Sequence, residues 1–285
     1  MAERWLKAFM ASEGLPDGFH DTFEAVCVPL AERAKRLRQV RRKTVLMGLC
    51  GPQGSGKTTI ALATRSLLED RGLNAVVLSL DDFYLGREAR LRLAKETHPL
   101  MATRGPPGTH DVAMMSMAID QLRGAGRVVL PAFDKATDTR KPRGQWEMVK
   151  APVDVILVEG WCVGAAAQGQ AALVAPINSL EATEDADGRW RALVNNQLDG
   201  PYQTLFGKLH ELVLLQAPSF DVVAGWRREQ EAKLRARTGA GMNDAEVDRF
   251  VAHYERLSRW IAQEMPERAQ WVVSLDKDRR PLLED

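Results

Sequence analysis

The run Gly51-Pro52-Gln53-Gly54-Ser55-Gly56-Lys57-Thr58 places glycines, a lysine and a hydroxyl at the spacing a phosphate cradle requires. The glycines let the backbone curl until successive N–H groups point into one concavity. A helix opening near Lys57 adds its positive dipole end and unpaired N–H groups. Lys57 offers a mobile charge for the terminal phosphates, and Thr58 a hydroxyl for Mg²⁺. The expected nucleotide contacts are Gly51, Gln53, Gly54, Ser55, Gly56, Lys57, Thr58 and Thr59, with ATP and Mg²⁺ as cofactors. A Gly-rich turn could match by chance. Here an apolar run precedes the motif and a helical pattern follows it, which is the context the motif needs.

Acids follow two other apolar runs. Asp81 and Asp82 come directly after residues 75–80, and Phe83-Tyr84 comes next. A kinase acting on an alcohol needs a carboxylate to orient the hydroxyl and accept its proton. An ordinary Asx turn would use the same residue types, and residue chemistry does not choose between Asp81 and Asp82. Glu159 ends the run 153–158, where an acid can complete the oxygen shell of Mg²⁺ or simply form a salt bridge. Thr58, Glu159 and Asp81 are the candidate metal ligands.

Cations supply the acceptor side. The stiff segment Arg104-Gly105-Pro106-Pro107-Gly108-Thr109-His110-Asp111 presents Arg104 and His110 to an anionic group, while Asp111 or Thr109 can cap the next helix. Residues 133–140 offer Asp134, Lys135 and Arg140 at the same presumed edge, with a plain surface loop as the alternative. Asp82 and Tyr84 join this substrate-side set. The alternating charges of residues 226–237 describe a solvated helix face. An arginine there, Arg227 or Arg228, can also neutralise charge on a transferred phosphoryl, and Arg227 is taken as the catalytic partner of Asp81 and Lys57.

The elements that must position these groups read as α/β. Residues 1–43 look helical and form an N-terminal extension; residues 44–285 form the catalytic domain. Short apolar runs at 44–50, 75–80, 127–130, 153–158, 211–215 and 270–275 read as strands, separated by helical stretches at 58–69, 112–122, 220–237 and 244–263. That alternation predicts a mostly parallel, roughly five-stranded sheet covered on both faces, the three-layer P-loop fold, with a helical lid. Ligands of such sheets lie beyond the carboxyl ends of the strands, where the cradle, Asp81-Asp82 and Glu159 all fall.

Composition sets outer bounds. With 285 residues, a net charge of +1 and 27% charged residues, the chain carries no global field for nucleic acid or membrane. A basic run from Arg33 to Lys43 could be a nucleic-acid patch, but its helical apolar spacing favours a solvated face. Three separated cysteines suggest neither a disulfide framework nor a zinc site. No signal peptide or membrane span is visible, so a cytoplasmic location is expected.

Together the cradle, Asp81-Asp82-Phe83-Tyr84, the 104–111 segment, Phe133-Asp134-Lys135-Ala136, Glu159-Gly160-Trp161 and His253-Tyr254-Glu255-Arg256-Leu257 resemble the D-glycerate 3-kinase family. That family is related to uridine kinases, phosphoribulokinases and pantothenate kinases. The likeness runs from about residue 44 to the end, and the 104–111 element is its most discriminating part. The resemblance implies MgATP-dependent phosphorylation of D-glycerate to 3-phosphoglycerate. It further implies Asp81 as the base, Asp82 in the place of a serine, Arg104 and His110 near the acceptor, and residues 275–280 near the adenine. Two other readings are a kinase for another small alcohol and an NTP-binding regulator; no guanine-reading Asn-Lys-x-Asp motif is present.

Overall fold

The computed structural model describes residues 2–238 and 241–282. Helices α1 (Ala2–Glu13), α2 (Phe19–Thr22) and α3 (Val28–Arg41) lead into strand β1 (Val45–Cys50), with a π-helical turn between α2 and α3. Helix α4 (Lys57–Asp70), β2 (Ala75–Ser79), α5 (Arg87–Glu96) and α6 (Val112–Arg123) follow. Next come β3 (Gly126–Leu130), β4 (Phe133–Asp134), β5 (Thr139–Arg140), β6 (Glu147–Ala151) and β7 (Val155–Gly160). The remainder is α7 (Ser179–Glu184), α8 (Arg189–Gln197), α9 (Gln203–Phe206), β8 (Glu211–Gln216), α10 (Phe220–Thr238), α11 (Asp244–Glu264) and β9 (Trp271–Ser274).

Five strands pair in parallel in the order β2-β7-β1-β8-β9. Every residue of β1 and β7 is buried, which explains why both read as continuous apolar runs rather than alternating ones. Their side chains still alternate between faces. Val45, Met47 and Leu49 join one core with Ile60 and Leu68 of α4, whereas Leu46 and Cys50 join a second with Ile119 of α6 and Ile261 of α11. The N-terminal helices belong to the first core, through Leu6, Phe23, Val26 and Leu30. They form a layer on the sheet.

The run 127–130 departs from the expected plan. It pairs antiparallel with β6 in a separate ribbon, and β6 had no place in the sequence reading. Only Val128 and Leu130 of β3 are buried, with Val129 intermediate and Gly126 and Arg127 exposed, so its apolar content suits one covered face and not the centre of the sheet. Its continuation still reaches the ligand edge, because the Phe133 N–H donates to Asp82 Oδ1 at 3.0 Å. Among the described residues no helix is long and apolar enough to cross a membrane.

Candidate active site

Strand register brings the chemistry to one edge. Leu49 of β1 lies opposite Glu159 of β7, and Ser79 of β2 lies opposite the same Glu159 from the other side. The loop after β1, the acids after β2 and the carboxylate ending β7 must therefore be neighbours.

The loop from Gly51 to Gly56 turns through two left-handed glycines, Gly54 at φ 80° and Gly56 at φ 83°. At Gly54 a Cβ would lie 2.8 Å from Trp226 Cβ, so both conformation and space demand glycine. Lys57 Nζ reaches back across the loop to the Pro52 carbonyl at 3.4 Å. Thr58 Oγ1 donates to Glu159 Oε1 at 3.0 Å. Glu159 is 1% exposed, yet among the described residues its Oε2 has no partner, and neither does buried Ser55 Oγ. Buried polar oxygens are costly to leave unpaired. This donor set, a hydroxyl beside an orphaned carboxylate oxygen, fits a hard cation such as Mg²⁺.

Half-buried Asp81 follows β2 and accepts from Lys135 Nζ at 2.6 Å. Burial alone would raise its pKa, but Lys135 and Lys57 overcome that and hold the carboxyl well below the usual carboxylate range. Asp82 behaves oppositely. Its burial, with Asp81 and Glu159 nearby, raises its pKa against the opposing Phe133 N–H bond. The pair thus divides into an ionised group in the cavity and a structural acceptor behind it.

The 104–111 loop is clamped from both sides. Trp161 Nε1 donates to the Gly105 carbonyl at 3.1 Å, and Tyr254 Oη donates to the Arg104 carbonyl at 2.9 Å. Thr109 Oγ1 closes the loop internally, accepting from Gly105 N and donating to the Pro106 carbonyl. Asp111 caps α6 by accepting from Met114 N. The Arg104 guanidinium is fixed at 2.6 Å from Asp138, which also binds the buried Arg90.

One cavity of about 240 Å³ collects most of the expected residues. Lys57, Thr58, Asp81, Tyr84, Arg104, Lys135 and Arg227 line it together with Gln53, Gly54, Gly56 and Thr59. Arg227 pairs with Glu231 and stands 5.2 Å from the centre of the Phe250 ring. Arg228 points elsewhere, to Asp248 at 2.7 Å. Residues 275–280 approach the cradle, with Arg279 Nε donating to the Gly54 carbonyl and Trp226 Nε1 to the Lys277 carbonyl, each at 2.7 Å.

Four expected acceptor contacts lie outside that lining. Asp82 is engaged by the Phe133 N–H. Asp134 accepts from Ala136 N in its own turn. Arg140 is bound to Asp111 at 2.9 Å and to the Tyr84 carbonyl. His110 is not a cation facing an anion: it is buried, stacked 4.4 Å behind Tyr84, and burial pulls its pKa down to about 4. The Tyr202 hydroxyl accepts from Gly108 N and shares a 2.6 Å hydrogen bond with His110 Nδ1, which holds the imidazole in place. Conversely, Phe250 and Tyr254 line the cavity although their i, i+4 spacing on α11 reads as plain core. Nothing in the charged 133–140 segment marks Asp138 as the acid that holds Arg104.

Residues 46–168 match the model of the phosphoribulokinase / uridine kinase family. The chain is 35% identical over 225 residues to the uncharacterized kinase mug58 of Schizosaccharomyces pombe, covering 73% of this chain and 78% of that one. It is 26% identical over 258 residues to the chloroplastic D-glycerate 3-kinase of Arabidopsis thaliana, covering 84% of this chain and 54% of that one. The solved D-glycerate 3-kinase of Cryptococcus neoformans has the same fold, with a TM-score of 0.74 at 24% identity over 92% of this chain and 99% of that one. The chain belongs to the phosphoribulokinase / uridine kinase family of P-loop kinases and is an ATP-dependent phosphotransferase with an alcohol acceptor.

Proposed function

We propose that the protein phosphorylates D-glycerate to 3-phosphoglycerate at the expense of MgATP. The observation that carries this reading is the shared cavity. Lys57 and Thr58 stand on its donor side, Asp81 beside them, and Arg104 and Lys135 on its acceptor side. A volume near 240 Å³ suits a small acceptor, and two cations suit a carboxylate on it. The likeness to two D-glycerate 3-kinases supports the same acceptor.

In the reaction an acceptor hydroxyl oxygen forms a bond to the γ-phosphorus as the bond from phosphorus to the β–γ bridging oxygen breaks. ADP leaves with that electron pair. Asp81, kept ionised by Lys135 and Lys57, orients the hydroxyl and takes its proton. A weak base is adequate, because phosphoryl transfer is largely dissociative and the nucleophile loses its proton late. Lys57 and the cradle N–H groups hold the phosphates, and Arg227 meets the transferred group once it leaves Glu231. Thr58 and Glu159 would hold Mg²⁺, which when bound neutralises phosphate charge. Gln53 and Thr59 complete the nucleotide contacts in the lining, and Tyr84 forms a wall behind the acceptor.

The test is a coupled ADP-release assay over D-glycerate, L-glycerate, other small hydroxy acids, nucleosides and sugars, with the product identified by ³¹P NMR. Stoichiometric 3-phosphoglycerate formation from D-glycerate is the expected result. Preference for a nucleoside or sugar would replace the acceptor, and hydrolysis indifferent to every alcohol would remove the kinase assignment.

A further inference from the structure

We propose that the opposite edge of the sheet carries a second anion site, built to take a small phosphorylated polyanion. The cavity there measures about 740 Å³ and is far larger than the catalytic one. It lies where β1 and β7 begin, so β1, six residues and about 20 Å long, separates it from the cradle.

Four separate segments converge on it. Arg38, Arg41, Arg42 and Lys43 come from the end of α3, Arg123 from the end of α6, Asp154 from the entry to β7 and His210 from the entry to β8. Arg42 terminates α3 in the left-handed conformation, φ 53°. Among the described residues Asp154 is the only carboxylate in the lining, and it is already engaged by Arg38 at 2.8 Å and by Asn74 N at 2.9 Å. Arg123 stands 3.7 Å from Asp120, but that acid is held by Lys208 at 2.9 Å. Arg41, Arg42 and Lys43 make no ion pair among the described residues.

A bland explanation exists for some of this charge. Cations gather at helix C-termini, and α3 and α6 both end here. Each end carries roughly −0.5 of a charge, so two ends and Asp154 offset only about two of the five cations. The surplus remains, and its guanidinium forks suit phosphoryl oxygens. His210 gives a second, local sign of the same field. Its Nδ1 accepts from Leu46 N at 2.9 Å, which leaves the proton of the neutral ring on Nε2. Burial lowers its pKa first, and Arg41 and Arg123 lower it further. Arginines from two elements thus act on one ring inside the cavity, which an anion entering there would relieve.

Inorganic pyrophosphate is the probe, titrated into the whole protein with the cradle already filled by AMP-PNP. The expected result is one further saturable site that moves the imidazole resonances of His210, assigned by His210→Gln among five histidines. Arg41→Ala and Arg123→Gln should each weaken that site about tenfold or more, with AMP-PNP affinity and melting temperature unchanged. Three outcomes would overturn the proposal: no second site, a second site indifferent to both substitutions, or a short oligonucleotide that binds the patch and is not displaced by pyrophosphate.

Discussion

Tyr254 Oη donates to the Arg104 carbonyl at 2.9 Å, tying α11 to the acceptor loop across 150 residues of chain. The contact exists only because the next residue is glycine. Gly105 sits at φ +127°, and a Cβ there would fall 1.8 Å from Tyr254 Oη and 2.2 Å from its Cζ. Gly105→Ala should therefore cost both conformational strain and overlap, about 2 kcal/mol or more. Chemical denaturation and the acceptor KM read the effect. Tyr254→Phe should not rescue it, since the ring carbon still collides, whereas Tyr254→Ala in the same chain should recover the steric part. Gly105→Ala with wild-type stability and KM would show that the loop is not clamped.

The Asp81–Lys135 ion pair makes the acid limb of the rate profile informative. A carboxyl with a depressed folded-state pKa favours the folded state above its unfolded pKa, and that contribution is lost as pH falls through the folded value. The acid limb of kcat/KM should accordingly lie below the usual carboxylate range. Lys135→Met removes one of the two lysines that oppose the effect of burial and should move the limb upward. Asp81→Asn should cut kcat by about 10² to 10⁴ with ATP affinity largely kept. An acid limb identical in wild type and Lys135→Met would break the link between this pair and catalysis.

What the sequence made legible follows how local each signal is. The cradle, its flanking β1 and α4, and the acids at the ends of β2 and β7 are all written in contiguous residues, so their placement could be read directly. Partnership is not local. Residues 127–130 look like any short strand, and nothing in them says that β6 is their neighbour. Burial is not local either. His110 reads as a cation beside Arg104, and only the packing of Tyr84 and Tyr202 around it makes it neutral. Arg227 and Arg228 were equivalent in sequence, and one residue of helical rotation separates a cavity wall from a surface pair with Asp248.

Glu159 should govern the cation requirement. Its Oε1 is engaged by Thr58, and its Oε2 has no partner among the described residues. Glu159→Gln keeps the shape but removes the charge, so the Mg²⁺ concentration for half-maximal activity should rise about tenfold or more. A Mg²⁺ titration at saturating ATP and acceptor checks this. Thr58→Ser, which retains a hydroxyl, should shift the requirement far less. An unchanged Mg²⁺ requirement in Glu159→Gln would leave that buried carboxylate without a role at the metal.

Arg104 and Asp138 separate contact from positioning. Arg104 lines the cavity and Asp138 does not, yet Asp138 holds the Arg104 guanidinium at 2.6 Å while binding buried Arg90. If Arg104 meets an acceptor anion, Arg104→Ala should raise the acceptor KM about tenfold or more, the size of a lost charge-assisted bond, and leave the ATP KM alone. Arg104→Lys should recover part of it, since charge is kept without the fork. Asp138→Asn should raise the same KM by less, because the guanidinium survives but is no longer fixed, and an uncharged analogue of the acceptor should feel neither change. An acceptor KM untouched by Arg104→Ala would move the anion contact to Lys135. A kcat loss in Asp138→Asn without any KM change would mean that Asp138 supports Arg90 and the loop, and does not aim Arg104.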